Sequence, residues 1–179
     1  MPDVYTEAKM VHDQVLKGAK DVVVEAWQSF KSQFGREYRC VEAYKSEDAE
    51  TILITMGSIS ETAMTAVDAL RGAGKKVGLV HIRLWRPFPV EELFDAIKGA
   101  KVVAVVDRAM SLNGVCGPVC AEVKSVLYDR GARPYLQNYI AGLGGRDVTV
   151  ENFIEMADQV AARAQRGDPM GYEIINVRD

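Results

Sequence analysis

The sequence predicts a three-layer α/β domain preceded by one long amphipathic helix. Near-continuous apolar runs such as "TILITMG" and "KVVAVVD" are typical of parallel strands covered on both faces, and each is followed by a stretch with helix-start residues. Apolar residues also recur at spacings of three and four from Thr6 to Phe34, which is the period of a helix that buries one face. Alternating strands and helices predict a sheet with helices on both sides.

Composition bounds the functions that such a domain can have. The chain has 179 residues, 48% of them hydrophobic, which is enough for one globular domain with a core. A formal net charge of -3 argues against a nucleic-acid partner, since those proteins cluster basic residues. Three cysteines suit a reducing compartment. No apolar run reaches the roughly 18 residues that span a bilayer, and no signal peptide is apparent, so we expect a cytoplasmic protein without a membrane partner.

The chain divides into three parts. Residues 1–35 form the N-terminal helix, which is expected to end at Gly35 in a left-handed cap and to serve as a linker or interface to a preceding domain. Residues 36–166 form the α/β domain, and residues 167–179 form a C-terminal tail. The apolar stripe of the helix includes Val22, Trp27, Phe30 and Phe34, and we interpret it as partly an interface.

Five strands are predicted within the domain. "YRCVEAY" alternates as a half-buried or edge strand does. The other four strands are the apolar runs "TILITMG" and "KVVAVVD" and the segments "KVGLVHIR" and "RPYLQNYI". Helix starts follow three of these strands. Ser58 with Glu61 predicts a capping box, and Pro89 and Pro118 predict first-turn prolines.

The stretch "AGLGGRDVTVENF" raises the question of a phosphate site. A dinucleotide fingerprint belongs after the first strand of a βαβ unit, whereas this cluster follows the last predicted strand, and no phosphate-loop spacing occurs in the chain. The alternative is a tight turn in which the glycines take positive φ and Thr149 caps the last helix. A tight turn does not explain why Arg146 and Asp147 follow the glycines, because its backbone geometry needs neither residue.

Other candidate chemistry is weak. Cys116 and Cys120 are one residue too far apart for a redox or zinc pair, and Cys120 has the spacing of a core residue. His12 and His81 stand alone on a helix and a strand. The sequence therefore predicts no catalytic residue, no metal site and no cofactor bound by this chain alone.

Four ordered motifs carry a family resemblance. They are "GREYRCVEAYKSEDAETILITMGS", "GKKVGLVHIRLWRPFPVEEL", "VVAVVDRAMSLNGVCGP" and "GLGGRDVTVENF". Over Gly35 to Ala164 they resemble the second domain of pyruvate:ferredoxin oxidoreductase and related 2-oxoacid:acceptor oxidoreductases, in the subunit that carries the pyrimidine-side thiamine domain. The resemblance implies a fold similar to the C-terminal domain of transketolase, with a mixed sheet of order 1-3-2-4-5 and an antiparallel first strand.

The resemblance also implies a role within a larger enzyme. Such enzymes convert a 2-oxoacid and coenzyme A into acyl-CoA, CO2 and reduced ferredoxin or flavodoxin, using thiamine diphosphate, magnesium and iron-sulfur clusters. This chain has no Gly-Asp-Gly motif, and three cysteines cannot ligate a four-cysteine cluster. We therefore expect a non-catalytic structural domain whose partners are the other domains or subunits of the oxidoreductase.

A sheet of that order has a switch point beyond the second and fourth strands, where ligands prefer to bind. The residues expected along this rim are Ser58, Arg83, Arg86, Asp107, Arg108, Gly144, Gly145, Arg146 and Asp147. Either the arginines pair with Asp107, Asp147 and carboxylates of a neighbouring domain, or they bind an anion such as the coenzyme A phosphates.

Two other functional classes use the same features. A free-standing flavodoxin-like module would bind a phosphate or nucleotide at this rim, and a regulatory module would need no small ligand.

Overall fold

A computed structural model describes residues 2–178 of the chain. The helices are α1 (Pro2–Phe34), α2 (Ile59–Gly72), α3 (Val90–Ile97), α4 (Pro118–Asp129) and α5 (Val150–Arg166). The strands are β1 (Val41–Tyr44), β2 (Thr51–Met56), β3 (Val77–Ile82), β4 (Val102–Asp107), β5 (Tyr135–Ile140) and β6 (Tyr172–Ile174), and a turn of 3-10 helix covers Leu143–Gly145.

The strands form one sheet in the order β1-β3-β2-β4-β5-β6. Strand β1 runs antiparallel to β3, with Val41 opposite Ile82, and every other pair is parallel. In the middle of the sheet Ile54 lies beside Val80 on one side and Val105 on the other. The mixed sheet with an antiparallel first strand and the order 1-3-2-4-5 is confirmed, and β6 adds a sixth strand at the edge.

Strand β6 lies in the segment 167–179 that the sequence predicts as a tail. The fully buried side chain of Gln137 accepts a hydrogen bond from Gly171 N at 3.3 Å, and Asn138 N donates to Gly171 O at 3.1 Å. At the other end Ile175 N donates to Ile140 O at 2.9 Å. The three residues of β6 are too few to show the alternation of apolar and polar side chains that marks a strand. The strand therefore forms through its hydrogen bonds to β5 and has no local sequence signal.

Two hydrophobic cores flank the sheet. Residues of α3 and α4 pack with alternate strand residues such as Ile52 and Ile54, whereas α2 and α5 pack on the opposite face with Leu53 and its neighbours. The parallel strands have side chains buried on both faces, which accounts for their continuous apolar runs. Cys120 is fully buried in the first core, as predicted.

Helix α1 begins at Pro2, ahead of the periodic stretch that starts at Thr6, and ends before Gly35, whose φ of 71° confirms the left-handed cap. Its second half lies over α3 and the approach to β1. Lys20 Nζ is 2.5 Å from Glu92 Oε1, and the rings of Phe30 and Tyr38 are 5.6 Å apart. Trp27 is half-buried here. This part of the predicted interface stripe therefore contacts the domain itself.

Helix starts agree in part with the sequence. Pro118 opens α4 and Thr149 caps α5 in a reciprocal capping box with Asn152. Ser58 makes no side-chain capping bond, so the capping box predicted there is wrong: Ser58 has helical φ and ψ, whereas a capping side chain needs an extended backbone at that position. Within residues 2–178, no helix is both long enough and apolar enough to cross a bilayer.

Candidate functional site

The site is built on the carboxyl edge of the sheet, which we define as the ends of β2, β3, β4 and β5 with the loops that follow them. The chain leaves β2 towards β3 on one side and reaches β4 on the other, so the switch point lies between β2 and β4. Ser58 follows β2, Arg83 and Arg86 follow β3, and Asp107 ends β4. The predicted rim residues thus share one edge, but the structure gives them different environments.

Ser58 and Arg83 line one cleft of about 540 Å³ at the ends of β2 and β3. The guanidinium of Arg83 donates two hydrogen bonds to Glu42, at 2.9 and 2.7 Å, and lies 4.7 Å from the ring centroid of Tyr38. This bidentate pair on β1 neutralises the Arg83 charge. Ser58 is exposed beside it.

His81 and Glu61 line the same cleft. The Nδ1 atom of His81 lies 3.7 Å from Glu42 Oε2, a distance too long for a good hydrogen bond. Burial, and next the charge of Arg83, lower the pKa of His81 below its ordinary value. The lowered pKa favours the neutral imidazole near neutral pH, and no hydrogen bond joins His81 to Ser58 among residues 2–178.

Arg86 is also neutralised within the domain. Its guanidinium binds Glu122 of α4, donates to Trp85 O at 2.9 Å and lies 4.3 Å from the Trp85 ring centroid. The stacked and paired geometry is typical of a structural arginine. Arg86 thus ties the loop after β3 to α4.

Asp107 lies at the switch point but is not on the surface. Its carboxylate is fully buried and accepts hydrogen bonds from Val119 N at 2.7 Å and Cys120 N at 3.1 Å, at the start of α4. Asn138 Nδ2 donates a third bond to it at 2.9 Å. Burial raises the pKa of Asp107, while these three donors oppose the rise. Asp107 therefore anchors the amino end of α4, where the helix dipole favours a negative charge.

Arg108 is the next residue along the chain, and it is exposed. It takes part in none of the ion pairs formed among residues 2–178. Its Nε lies 3.0 Å from where a Cβ on Gly142 would be, so the side chain runs along the glycine turn.

The glycine turn is tight, as predicted. Gly142, Gly144 and Gly145 have φ values of 72°, 63° and 82°, which favour glycine. Arg146 donates to the backbone carbonyl of Asn176, and Asn176 Nδ2 donates to Asp147 O at 3.4 Å. The turn is thereby tied to the residues after β6.

Arg146 lines a second cleft of about 370 Å³ between the glycine turn and the segment after β6. Arg178 also lines this cleft, and the apolar part of the lining includes Ile140 and Ile175. Arg108 and Arg146 thus border the β5 end of the edge, whereas Ser58 and Arg83 border the β3 end.

Most of the residues that neutralise or anchor this edge carry no local signal in the sequence. Glu42 and Glu122 are sequence-distant from the arginines they bind, by 41 and 36 residues, so no local spacing signals them. Asn138 did carry a signal, because a polar residue inside an otherwise buried strand requires partners. Among residues 2–178, no group of three or more potential metal ligands occurs.

Comparison with known proteins shows which family the chain resembles. A family model described as pyruvate:ferredoxin oxidoreductase core domain II matches residues 49–153. The pyruvate synthase subunit PorA of Methanothermobacter thermautotrophicus is 39% identical over 155 residues, which are 87% of this chain and 39% of that subunit. The ketoisovalerate oxidoreductase subunit VorA of Pyrococcus abyssi is 40% identical over 150 residues, 83% of this chain and 38% of that subunit.

The chain therefore spans about two fifths of the length of these relatives. Among solved structures, an inactive tetramer of a split-gene transketolase matches with a TM-score of 0.53 at 14% identity. The match covers 71% of this chain and 43% of that one. This likeness agrees with the transketolase-like fold. The family model covers more than half of the 179 residues, and the chain accordingly belongs to the family of pyruvate:ferredoxin oxidoreductase core domain II.

Proposed function

We propose that this chain is a non-catalytic assembly domain of a thiamine-diphosphate-dependent 2-oxoacid:ferredoxin oxidoreductase of the pyruvate synthase type. The whole enzyme would convert a 2-oxoacid and coenzyme A into acyl-CoA, CO2 and reduced ferredoxin or flavodoxin. The observation that carries the proposal is the match to core domain II over residues 49–153, together with relatives named as subunits of such enzymes.

The donor set of the chain supports a non-catalytic role. All three cysteines are buried, Cys40 beneath α1 and the other two at the start of α4, and three thiols do not fit a four-cysteine cluster. The buried carboxylate of Asp107 is occupied by two backbone amides and an asparagine. The residues of this chain therefore do not fit the iron-sulfur clusters, and we assign them no step on the thiamine cofactor.

Assembly is the role that the carboxyl edge supports. Arg83 and Arg86 are neutralised inside the domain, whereas Arg108 and Arg146 carry exposed positive charge without a carboxylate partner among the described residues. These two arginines, with Gly144, Gly145 and Asp147 of the glycine turn, would meet carboxylates of a neighbouring domain, and Ser58 would border that interface at the β3 end of the edge. The alternative ligand for the same pair is an anion such as the coenzyme A phosphates.

Substrate choice is proposed to lie outside this domain. The relatives include one subunit named for pyruvate and another named for ketoisovalerate, at 39% and 40% identity. Two relatives at nearly equal identity to this chain are thus named for different 2-oxoacids, so a domain of this kind is not the natural place for substrate contacts.

The test uses the assembled oxidoreductase with the double variant Arg108→Ala, Arg146→Ala. The matched control is Arg133→Ala, since Arg133 precedes β5, at the opposite edge of the sheet from the carboxyl edge. Assembly is measured by native mass spectrometry, and acyl-CoA formation is measured against coenzyme A concentration. Loss of association in the double variant but not in the control supports the assembly role.

A raised KM for coenzyme A with intact assembly supports the anion alternative instead. Normal assembly and normal kinetics in the double variant would contradict both roles for these arginines. Membership of the oxidoreductase is tested separately, because a chain that never associates with thiamine-binding and cluster-binding subunits in its native source does not belong to such an enzyme.

A further inference from the structure

Helix α1 carries two apolar faces, and the domain partly covers one of them in the second half of the helix. The inner face contains half-buried side chains in the second half of the helix, including Val23, Trp27 and Phe30. The outer seam, as we name it, consists of Val4, Ala8, Val11, Val15, Gly18 and Val22. The valines of this seam are between 52% and 68% exposed.

The outer seam has the spacing of a helix-packing surface. Its residues follow one another at alternating intervals of four and three, which is the repeat of coiled-coil positions. At about 100° per residue, the six positions fall within an arc of about 80°, whose centre lies roughly 105° around the helix from the centre of the inner face. An exposed apolar stripe beside a face that already packs on the domain is the arrangement of a helix with two neighbours.

Gly18 gives an independent reason to expect a close neighbour. Glycine is the least favourable residue in a helix interior after proline. A Cβ placed on Gly18 would meet nothing within 4 Å, so the described residues do not require glycine there. In a seam between helices, glycine allows two backbones to approach closely. A helix that packs on the outer seam would account for glycine at this position.

The charges beside the seam indicate what kind of helix this is. Along one flank, Glu7, Gln14 and Asp21 recur at intervals of seven, and all three are exposed. Neither Glu7 nor Asp21 takes part in an ion pair with any residue from 2 to 178. In coiled coils such flanking charges set partner choice.

The other flank consists of Tyr5, His12 and Ala19 and has neither lysine nor arginine. Two copies of α1 would therefore bring no lysine or arginine opposite the acidic flank, and an antiparallel pair would place acidic flanks together.

We infer that the outer seam of α1 binds an amphipathic helix of another domain or subunit whose apolar stripe is flanked by lysine or arginine. This inference does not rest on the proposed enzyme, because it uses only the packing and charge of α1.

The test uses the chain itself and two designed helical peptides as probes. Both peptides have valine and leucine at the seam positions; one has lysine at every flanking position and the other has glutamate. Binding is measured by fluorescence anisotropy of the labelled peptide. We expect the lysine peptide to bind at least about tenfold more tightly than the glutamate peptide, with a difference that shrinks as salt is added.

Three variants locate the site. Val15→Asp should abolish binding of the lysine peptide, whereas Met10→Asp, at an exposed position on another face, should leave it unchanged. Gly18→Ala should increase helicity measured by circular dichroism and weaken peptide binding, because the new methyl group occupies the contact. The pair Glu7→Lys, Asp21→Lys should reverse the preference between the two peptides.

The inference is overturned if the two peptides bind equally or not at all. It is also overturned if sedimentation shows that the wild-type chain is a dimer that Val15→Asp dissociates, since a second copy would then be the occupant.

Discussion

The amide of Asn138 on β5 donates a hydrogen bond of 2.9 Å to the carboxylate of Asp107 on β4, and both residues are fully buried. The same asparagine accepts from Gly117 N at 2.7 Å, directly before α4. These two side chains therefore satisfy three backbone amides at or next to the amino end of α4. The loop that carries Arg108 is fixed at both ends by this pair.

Removal of either side chain should leave buried donors unpaired. We expect Asp107→Ala to lower the free energy of unfolding by on the order of 3 kcal/mol, since two amides and the Asn138 amide lose their acceptor. Asn138→Ala should cost somewhat less. Urea denaturation of both single variants and the double variant measures the coupling, and the double variant should lose less than the sum. Strict additivity would show that the two side chains act separately.

Gly117 and Gly144 should differ in how much they tolerate alanine. A Cβ on Gly117 would lie 2.4 Å from Asp107 Cγ, so Gly117→Ala should cost about 3 kcal/mol through overpacking at a normal φ of -71°. A Cβ on Gly144 meets nothing, and Gly144→Ala should cost only about 1 kcal/mol, which comes from its φ of 63°. Urea melts rank the two, and the reverse order would contradict the contact.

His81 should make the fold less stable at acidic pH. Its pKa in the folded chain lies below the ordinary 6.5, because of burial and the charge of Arg83, and the charges of Glu42 and Glu61 offset this only in part. The unfolded chain therefore binds a proton first, so this contribution to stability is present above pH 6.5 and is lost as pH falls towards the folded-state pKa. Denaturation midpoints of wild type and His81→Gln from pH 7.5 to 5 test the sign: the wild type should lose more.

The inner face of α1 should protect the thiol of Cys40. Trp27 and Cys40 line the same cleft between α1, β1 and α3, and Cys40 is only 4% exposed. We expect Trp27→Ala to speed modification of Cys40 by a thiol reagent about tenfold, which corresponds to roughly 1.4 kcal/mol less docking free energy of the helix. Val22→Ala, on the outer seam, is the matched control and should leave the rate unchanged. Equal rates of Cys40 modification in the two variants would mean that Trp27 does not stabilise the docking of α1 on the domain.

Most of the fold could be predicted because its signals are local or periodic. The apolar runs of β2 and β4 and the alternation at β1 depend on burial that each strand shows in its own residues. Positive φ at Gly35, Gly142, Gly144 and Gly145 follows from the same local chemistry. Strand β6 could not be predicted this way, since its three residues are selected by Gln137 and Asn138 some 34 residues earlier.

The sequence predicted where the candidate site lies in the fold, but not which side chains contact one another there. Topology brought the arginines to one edge, as expected from the strand order. Their charge balance was not visible, because Glu42 and Glu122 reach Arg83 and Arg86 across the sheet and from α4. The burial of Asp107 was equally hidden, since an aspartate at the end of a strand is most often exposed.

The pairing of β6 with β5 protects one edge of the sheet against self-association. Without β6, the peptide groups of Asn138, Tyr139 and Ile140 would form an open, apolar sheet margin, and such margins recruit strands from other molecules. Strand β6 is short, and residues 172 and 174 are exposed, so it closes the margin without offering a long new one. A chain ending at Arg166 should therefore precipitate at concentrations where the full chain stays clear, which light scattering would show.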